Sequence, residues 1–446
     1  MGKHKSNVQI IFVLTFLSFR KIFSSTLKSI FSLSIICFFV FNQYSCTATK
    51  RNVGDIKKNP LKIGYKIVAS EKNRIRVLLS EEQKSVSLSI QGSYNFTSDN
   101  EVVAKLIKGN KLIFQINSGG ITAKINSRDI DGITFLLQPS DSESVISFSG
   151  KRYTDDIVVV YSDNNSILVI NRLPMDDYLL GVLPAEMGVK INQPERLEAL
   201  KAFAVCARTF AEMKKARGST YFDITDNVRD QVFSGTGNST QLDSKAVKET
   251  SQEVLKYKEK LAEIFYHSAC GGILEDPANV FSGKVDDYLV TKKDGDDKPN
   301  CEISPTFYWK ETYTQFDLLK MLKAKNLVSK KLRIIKDVEI SDVFPSGRVK
   351  ELHISFVNGD DVILKSSDIR NFFIRKETKG ILRSSLFTLS KEKTKSELKK
   401  VILNGRGSGH GVGLCQWGAM NLSSKGENYH EILDFYFHGC TIGQTE

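Results

Sequence analysis

The stretch Asn171-Arg-Leu-Pro-Met-Asp-Asp-Tyr-Leu-Leu-Gly-Val-Leu-Pro-Ala-Glu186 organises the chain around it. It leaves an apolar β-prone run, Ile167 to Ile170, and meets Pro174 and Pro184 before a long amphipathic segment opens near Glu195. Proline lacks a backbone N–H and biases the residue before it away from helical angles, so the two prolines read as breaks. Glu186, between Pro184 and Met187-Gly188, is therefore expected on a constrained strand-to-helix turn, not on a solvated helical face. Taken alone, a glutamate at a helix entrance is a turn residue. Its neighbours in the chain decide whether it does chemistry.

Immediately after it, Glu195 to Arg217 carries the strongest helical pattern of the chain. Pro194 suits the first turn and Gly218 the stop, and Leu197, Leu200, Ala204, Ala207 and Ala211 form an apolar stripe. Ala202, Ala204 and Ala207 allow a turn bearing Glu186 to pack closely. Lys201 and Arg208, seven residues apart, share a face, which read by itself is a solvated one.

Upstream, short β runs dominate: Ile75 to Leu79, Val86 to Ile90 with period two, Lys111 to Ile116, and Ile157 to Tyr161 paired with Ile167 to Ile170 across Asp163-Asn164-Asn165. Downstream, a weaker helix is expected at Ala246 to Lys256 and a buried strand at Leu261 to Tyr266, ending in His267-Ser-Ala-Cys270-Gly-Gly272. Gln315 to Lys325 reads as a helix with a Thr314/Asp317 capping box. Arg333 to Thr388 returns to strands, with a hairpin signal at Asn358-Gly359. Ser390 to Lys400 reads as a solvated loop or helix face, and a last helix surrounds Tyr429 to Phe437. The fold class is α+β, with a β-rich N-terminal part followed by a mixed α/β domain.

The chain has 446 residues, 41% hydrophobic and 26% charged, with a net charge of +12, which suits a globular protein in an anionic environment. No zinc-finger spacing or recognition-helix signature is present, so nucleic acid is not an expected partner. Two apolar runs, Val8 to Phe19 and Ile30 to Phe41, are split by Arg20-Lys21 and Lys28, and no acidic residue precedes Asp55. This reads as an export signal, with membrane retention or lipid attachment at Cys46 as alternatives. The body of the protein is expected in the periplasm, cell envelope or extracellular space. Five cysteines remain beyond Cys37 and Cys46, too widely spaced for a disulfide scaffold.

Two further motifs stand out. Gly405 to Gly413 holds five glycines around His410 but has neither a P-loop ending nor a dinucleotide fingerprint, leaving a surface loop or a backbone held close to a polymer. His267 and Cys270, with Cys301, have a spacing that suits a three-ligand metal site; an oxidised Cys270–Cys301 pair and two free thiols are the alternatives. A Cys415/His410 nucleophile pair is less well founded, because a glycine-rich loop does not fix their orientation.

In order, these blocks resemble the stage II sporulation protein D (SpoIID) family and its LytB-type relatives: Leu173-Pro174, Tyr178-Leu179, Gly181-Val182, Pro184-Ala185-Glu186-Met187, Glu198 to Ala202, Ala207-Arg208-Thr209, Asp230 to Phe233, Tyr266 to Gly272, Tyr288-Leu289 and Gly405 to Ala419. The resemblance runs from about Asn171 to Ile442. It implies a peptidoglycan lytic transglycosylase acting on glycan strands stripped of stem peptides, with Glu186 as the single acid/base. Lys201, Arg208, Gln231, Tyr266, Ser268, His410 and Gln416 are then expected to contact sugar. No cofactor is required by that reaction, although a zinc ion near the cleft, on His267, Cys270 and Cys301, is implied by some relatives. The alternative function is a non-catalytic wall-binding modulator of an N-acetylmuramoyl-L-alanine amidase, and an amidase that removes the stem peptides is the expected partner. The implied layout is a leader at 1–49, a linker at 50–60, a β-rich accessory region at 61–160 and a SpoIID-type catalytic domain at 161–446 with a β-rich insertion near 333–388. Phe203, Ser408 and Trp417 depart from the residues the family usually carries there.

Overall fold

The computed structural model describes residues 71–188, 193–218, 220–281, 286–329 and 334–445, all within a unit that spans Pro60–Glu446. The leader, the linker, Cys37, Cys46 and the first ten residues of the β-rich region lie outside the described residues. No described helix is long and apolar enough to cross a membrane.

The β-rich half forms two sheets. A seven-stranded sheet runs, edge to edge, through Ile224–Thr225, Arg74–Gln83, Ser166–Pro174, Asp156–Ser162, Thr134–Pro139, Tyr94–Ser98 and Glu101–Leu106. A six-stranded sheet is ordered Lys151–Tyr153, Val145–Phe148, Ser85–Gln91, Lys111–Ile116, Ile121–Ile125 and Arg128–Gly132. Alternation does the sorting: in Ser85–Gln91, Val86, Leu88 and Ile90 turn inward and the serines largely outward. The hairpin signal at Asp163 to Asn165 joins Asp156–Ser162 to Ser166–Pro174, with Asn165 in the left-handed region at φ 54°.

Ser166–Pro174 is the structural axis. It pairs on one side with Arg74–Gln83 and on the other with Asp156–Ser162, and its end feeds directly into helix α1, Met175–Met187. Here the expectation of two breaks is corrected. Pro174 is the N-cap, but Pro184 lies inside α1, so Glu186 sits on the last helical turn and not on a separate turn. Pro184 removes only one intrahelical donor, and the helix ends at Gly188 with φ 89°, an angle glycine adopts without strain. Asp176 and Asp177 occupy the first turn, where the helix dipole favours negative charge.

Helix α2, Leu197–Arg217, follows a 3-10 turn at Pro194–Arg196 and buries Ala199, Ala202, Phe203, Ala204 and Ala207 completely. Helix α3, Gln241–Glu249, ends earlier than expected. Val254 and Leu255 belong instead to strand Glu253–Tyr257, so the anticipated helix to Lys256 is corrected. The helix stops at Thr250, and Gln252 takes a left-handed φ of 64°, through which a right-handed helix cannot continue. The two sheets, α1, α2 and the C-terminal elements share one hydrophobic core that includes Phe96, Phe114, Val159, Tyr178, Leu183 and Ala204.

A second core closes around Trp309, Tyr313, Val338, Leu352, Phe373 and Leu403. It is formed by sheets Tyr308–Thr314/Leu398–Arg406/Phe387–Lys393 and Ile335–Val343/Val349–Phe356/Asp361–Lys365, with helices α4, Gln315–Ala324, and α5, Ser367–Phe372. The charge run Ser390 to Lys400 is therefore the end of a β-hairpin, because Leu389 and Leu398 anchor otherwise exposed charged residues. The hairpin at Asn358-Gly359 and the Thr314/Asp317 capping box both form as read. Two final helices, α6, Gln416–Ser424, and α7, Tyr429–Tyr436, complete the first core.

Candidate active site

The environment of Glu186 is assembled by three elements. Helix α1 presents the side chain, the loop after Ile224–Thr225 supplies Val232, and the two-residue strand Tyr266–His267 supplies Tyr266. Glu186 Oε1 accepts the Val232 backbone N–H at 2.7 Å and the Tyr266 hydroxyl at 3.4 Å. Burial raises the Glu186 carboxyl above the usual carboxylate range, and those two donors only partly oppose it. The Tyr266 phenol is itself pushed well up, first by burial and then by the Glu186 charge, so it stays a donor.

The loop is held by the helix it serves. Gly181 O accepts both Ser234 N at 3.1 Å and Ser234 Oγ at 2.9 Å, and Phe233 lies against Gly181. Tyr178 donates to Gln231 Oε1 at 3.0 Å, while Gln231 Nε2 is buried without a partner. Phe203, a departure from the family pattern, packs its ring edge-on to Tyr266 at 4.9 Å and so steadies the phenol. The two acids of this loop are committed elsewhere: Asp230 to Thr225 and Lys214, Asp226 to Lys151. Glu186 is left as the carboxylate with a raised pKa and no charged partner.

Glu186, Tyr266 and Gln231 thus come together. Lys201 and Arg208 do not join them. Arg208 is 1% exposed and bonds Asp176 Oδ1 at 3.0 Å and Glu253 O at 3.1 Å, which fixes it to the far end of α1, ten residues from Glu186. Ten residues of helix is about 15 Å. Lys201 pairs with Glu198 and Glu249; it lies two residues from Phe203, about 200° around the helix. The expectation that both cations face the cleft is corrected: they tie α2 to its neighbours. The His410 ring lies 5.5 Å from that of His267, with Nδ1 accepting Val412 N–H, and no contact of it with Glu186 is found among the described residues. Ser268 meets the start of α6 at a junction beside Gln416, where Trp417 N–H donates to Ser268 O at 3.1 Å.

That junction borders a thiol cluster. Parallel pairing of Tyr266–His267 with Leu414–Cys415 brings Cys415 to Cys270, whose N–H points at Cys415 Sγ at 3.3 Å. Cys301 Sγ lies 3.3 Å from Cys270 Sγ, and Asp294 Oδ2 accepts from Cys270 Sγ at 3.0 Å and from Cys301 N at 3.1 Å. All four side chains are buried, with their ligand atoms within 4.8 Å of one another. The cysteines are separate thiols, since a disulfide would bring the sulfurs to about 2.05 Å. Three sulfurs and a carboxylate match the tetrahedral donor set that suits zinc, in which ligand sulfurs sit roughly 3.8 Å apart. Burial lifts Asp294 to about 7, only partly opposed by the Cys270 thiol and the Tyr436 hydroxyl that donate to it. His267 is not in this set: its Nδ1 is engaged with Val412 O at 3.0 Å on the other side of the strand. Asp294 and Cys415 replace it. Asp294 was hidden in an acidic loop seven residues before Cys301; Cys415 stood out only as half of a poorly founded nucleophile pair with His410.

The class of protein these features define is given by comparison. Residues 163–257, the segment from the central hairpin through α1, α2 and α3, match the stage II sporulation protein family, SpoIID, and residues 275–413 match a domain of unknown function, DUF8618. The resemblance of the chain to SpoIID and to LytB-type amidase enhancers therefore holds. Among relatives, an uncharacterised protein of Brachyspira hyodysenteriae is 28% identical over 84% of this chain and 94% of its own length. The amidase enhancer of Bacillus subtilis is 27% identical over 76% of this chain, which spans 50% of that protein. Stage II sporulation protein D of the same species is 26% identical over 62% of this chain and 76% of its own length.

Proposed function

We propose that this protein is a peptidoglycan lytic transglycosylase and that Glu186 is its acid/base. The observation that carries the reading is a half-buried carboxylate with a raised pKa, a tyrosine hydroxyl and a backbone N–H on one oxygen, and no second free carboxylate beside it. A general acid at neutral pH must hold its proton, and burial favours the neutral form. Protonated Glu186 gives its proton to the oxygen between N-acetylmuramic acid and N-acetylglucosamine. As the carboxylate, it then takes the proton of the muramyl 6-hydroxyl, which attacks the anomeric carbon and closes a 1,6-anhydro ring. Val232 N–H and Tyr266 hydroxyl stabilise the charged form between the two steps. Glycosidases that recruit water or a protein nucleophile pair two carboxylates; here the substrate brings its own nucleophile.

Cys270, Asp294, Cys301 and Cys415 would hold zinc. Four protein donors close the shell, so the ion would be a brace joining the Gly271-Gly272 turn to the start of α6. The second reading is favoured by the likeness to an amidase enhancer: wall binding that modulates an amidase without cleavage. Purified protein incubated with peptide-free glycan strands separates the two. Anhydro-muramyl products by mass spectrometry are expected; binding of strands without any cleavage would sink the enzymatic reading.

A further inference from the structure

Three buried polar atoms that lack partners lie together where the second core meets the glycine-rich loop: His267 Nε2, Arg348 Nε and Arg348 Nη1. Arg348 is 1% exposed and His267 5%. The Arg348 guanidinium rests on Gly411, where any Cβ would overlap it, and the His267 side chain rests on Gly409. Only Nη2 of Arg348 is used, donating to Cys270 O at 2.7 Å and Ile273 O at 3.0 Å. From α5, Arg370 bonds Leu382 O through its Nε, next to Arg383, whose O accepts from Gly409 N, and its charge acts on both His267 and His410. Burial, then the charges of Arg348 and Arg375, pull Arg370 down to about 10.

Among the described residues, neither Arg348 nor Arg370 has a carboxylate within ion-pair distance. The acid that acts on Arg348 is Glu275, and its oxygens are already taken by Asp276 N, Asn279 Nδ2 and Ser346 Oγ. A guanidinium does not shed its proton, and although the Glu275 charge acts on Arg348 from a distance, the buried Arg348 Nε and Nη1 donors are left without an acceptor, an unfavourable arrangement. We infer that Arg348 and Arg370, with His267 beside them, form a binding site for one small oxyanion. The half-buried His410 ring, 5.5 Å from that of His267, borders this site. Glu186 is not part of it, because Tyr266 and His267 are adjacent on a strand and point to opposite faces.

Two sources offer that chemistry: free inorganic phosphate, or the lactyl carboxylate that a muramyl residue exposes once its peptide is gone. The second source rests on the glycan reading above; the site itself does not. Calorimetric titration of the full-length protein at constant ionic strength uses phosphate, N-acetylmuramic acid and, as the uncharged control, N-acetylglucosamine. Phosphate is expected to bind saturably at one site, and Arg370→Gln to weaken it about tenfold or more. Competition by N-acetylmuramic acid, but not by N-acetylglucosamine, identifies the glycan carboxylate; binding of phosphate alone identifies the free anion. Arg370 is partly exposed, so its variant remains informative if Arg348→Gln fails to fold. Absence of saturable binding by either acid, or wild-type affinity in folded Arg370→Gln, overturns the inference without touching the cleavage assay.

Discussion

Gly181→Ala should destabilise the protein and slow cleavage, although it touches no charged group and places the better helix former in a helix. Alanine is favoured over glycine within a helix by about 1 kcal/mol, so propensity alone predicts a gain. Packing reverses the sign. A Cβ at Gly181 would overlap the Phe233 ring, falling 2.6 Å from its Cδ2, and stand 2.8 Å from Gly235 O. The ring cannot step aside, being 1% exposed and wedged between Tyr178 and Tyr153 with centroids 5.3 and 6.1 Å away. Overpacking of this kind costs about 1–3 kcal/mol, and contact with a fixed ring and a backbone carbonyl belongs at the upper end. The net loss is then about 2 kcal/mol. Phe233 follows Val232, whose N–H holds Glu186, so the displacement reaches the acid/base. A shift of about 1 Å there costs on the order of 100-fold in rate. Urea melts and the cleavage rate of peptide-free strands measure both effects. A variant at least as stable as wild type with full activity would refute the account of how α1 positions its glutamate.

Other outcomes follow from the same contacts. Because the folded Glu186 carboxyl is raised, the favourable linkage is complete below its unfolded pKa and is lost as pH rises through the folded one. Glu186→Gln should therefore match or exceed wild-type stability at neutral pH, an advantage that shrinks in acid, while wild-type activity falls on the alkaline side; thermal melts and rates across pH check both. Metal analysis should find about one zinc per chain, and Cys415→Ser should lose it and melt earlier, since binding energy at a closed site is folding energy; an unchanged melt after chelation would count against the brace. Arg208→Ala should cost about 2 kcal/mol by denaturant melt, since it leaves Glu253 O and Asp176 Oδ1 without the donors of a buried guanidinium.

The sequence announced much of this. Period-two alternation located strands such as Ser85–Gln91, and the proline–glycine brackets around the alanine-rich segment located α2. The acid/base candidate and Tyr266 were legible because their motif blocks sit in one order along the chain. Helix faces were not. Lys201 and Arg208 share a face, but which one meets the cleft depends on Asp176, Glu249 and Glu253 from other elements. The thiol cluster was half legible for the same reason: Cys270 and Cys301 lie 31 residues apart, whereas Cys415 arrives through parallel pairing 145 residues from Cys270. Pro184 misled because a helix tolerates a missing donor better than local rules allow when its other face is fully packed, as Val182 and Leu183 are.

The most direct measurement is the mass of the new end formed when wild type and Glu186→Gln are given peptide-free strands in heavy-oxygen water. The account predicts a muramyl end lighter than the hydrolysed sugar by one water, with no label incorporated, and no cleavage by Glu186→Gln. A labelled reducing end, or undiminished cleavage by the variant, would contradict it.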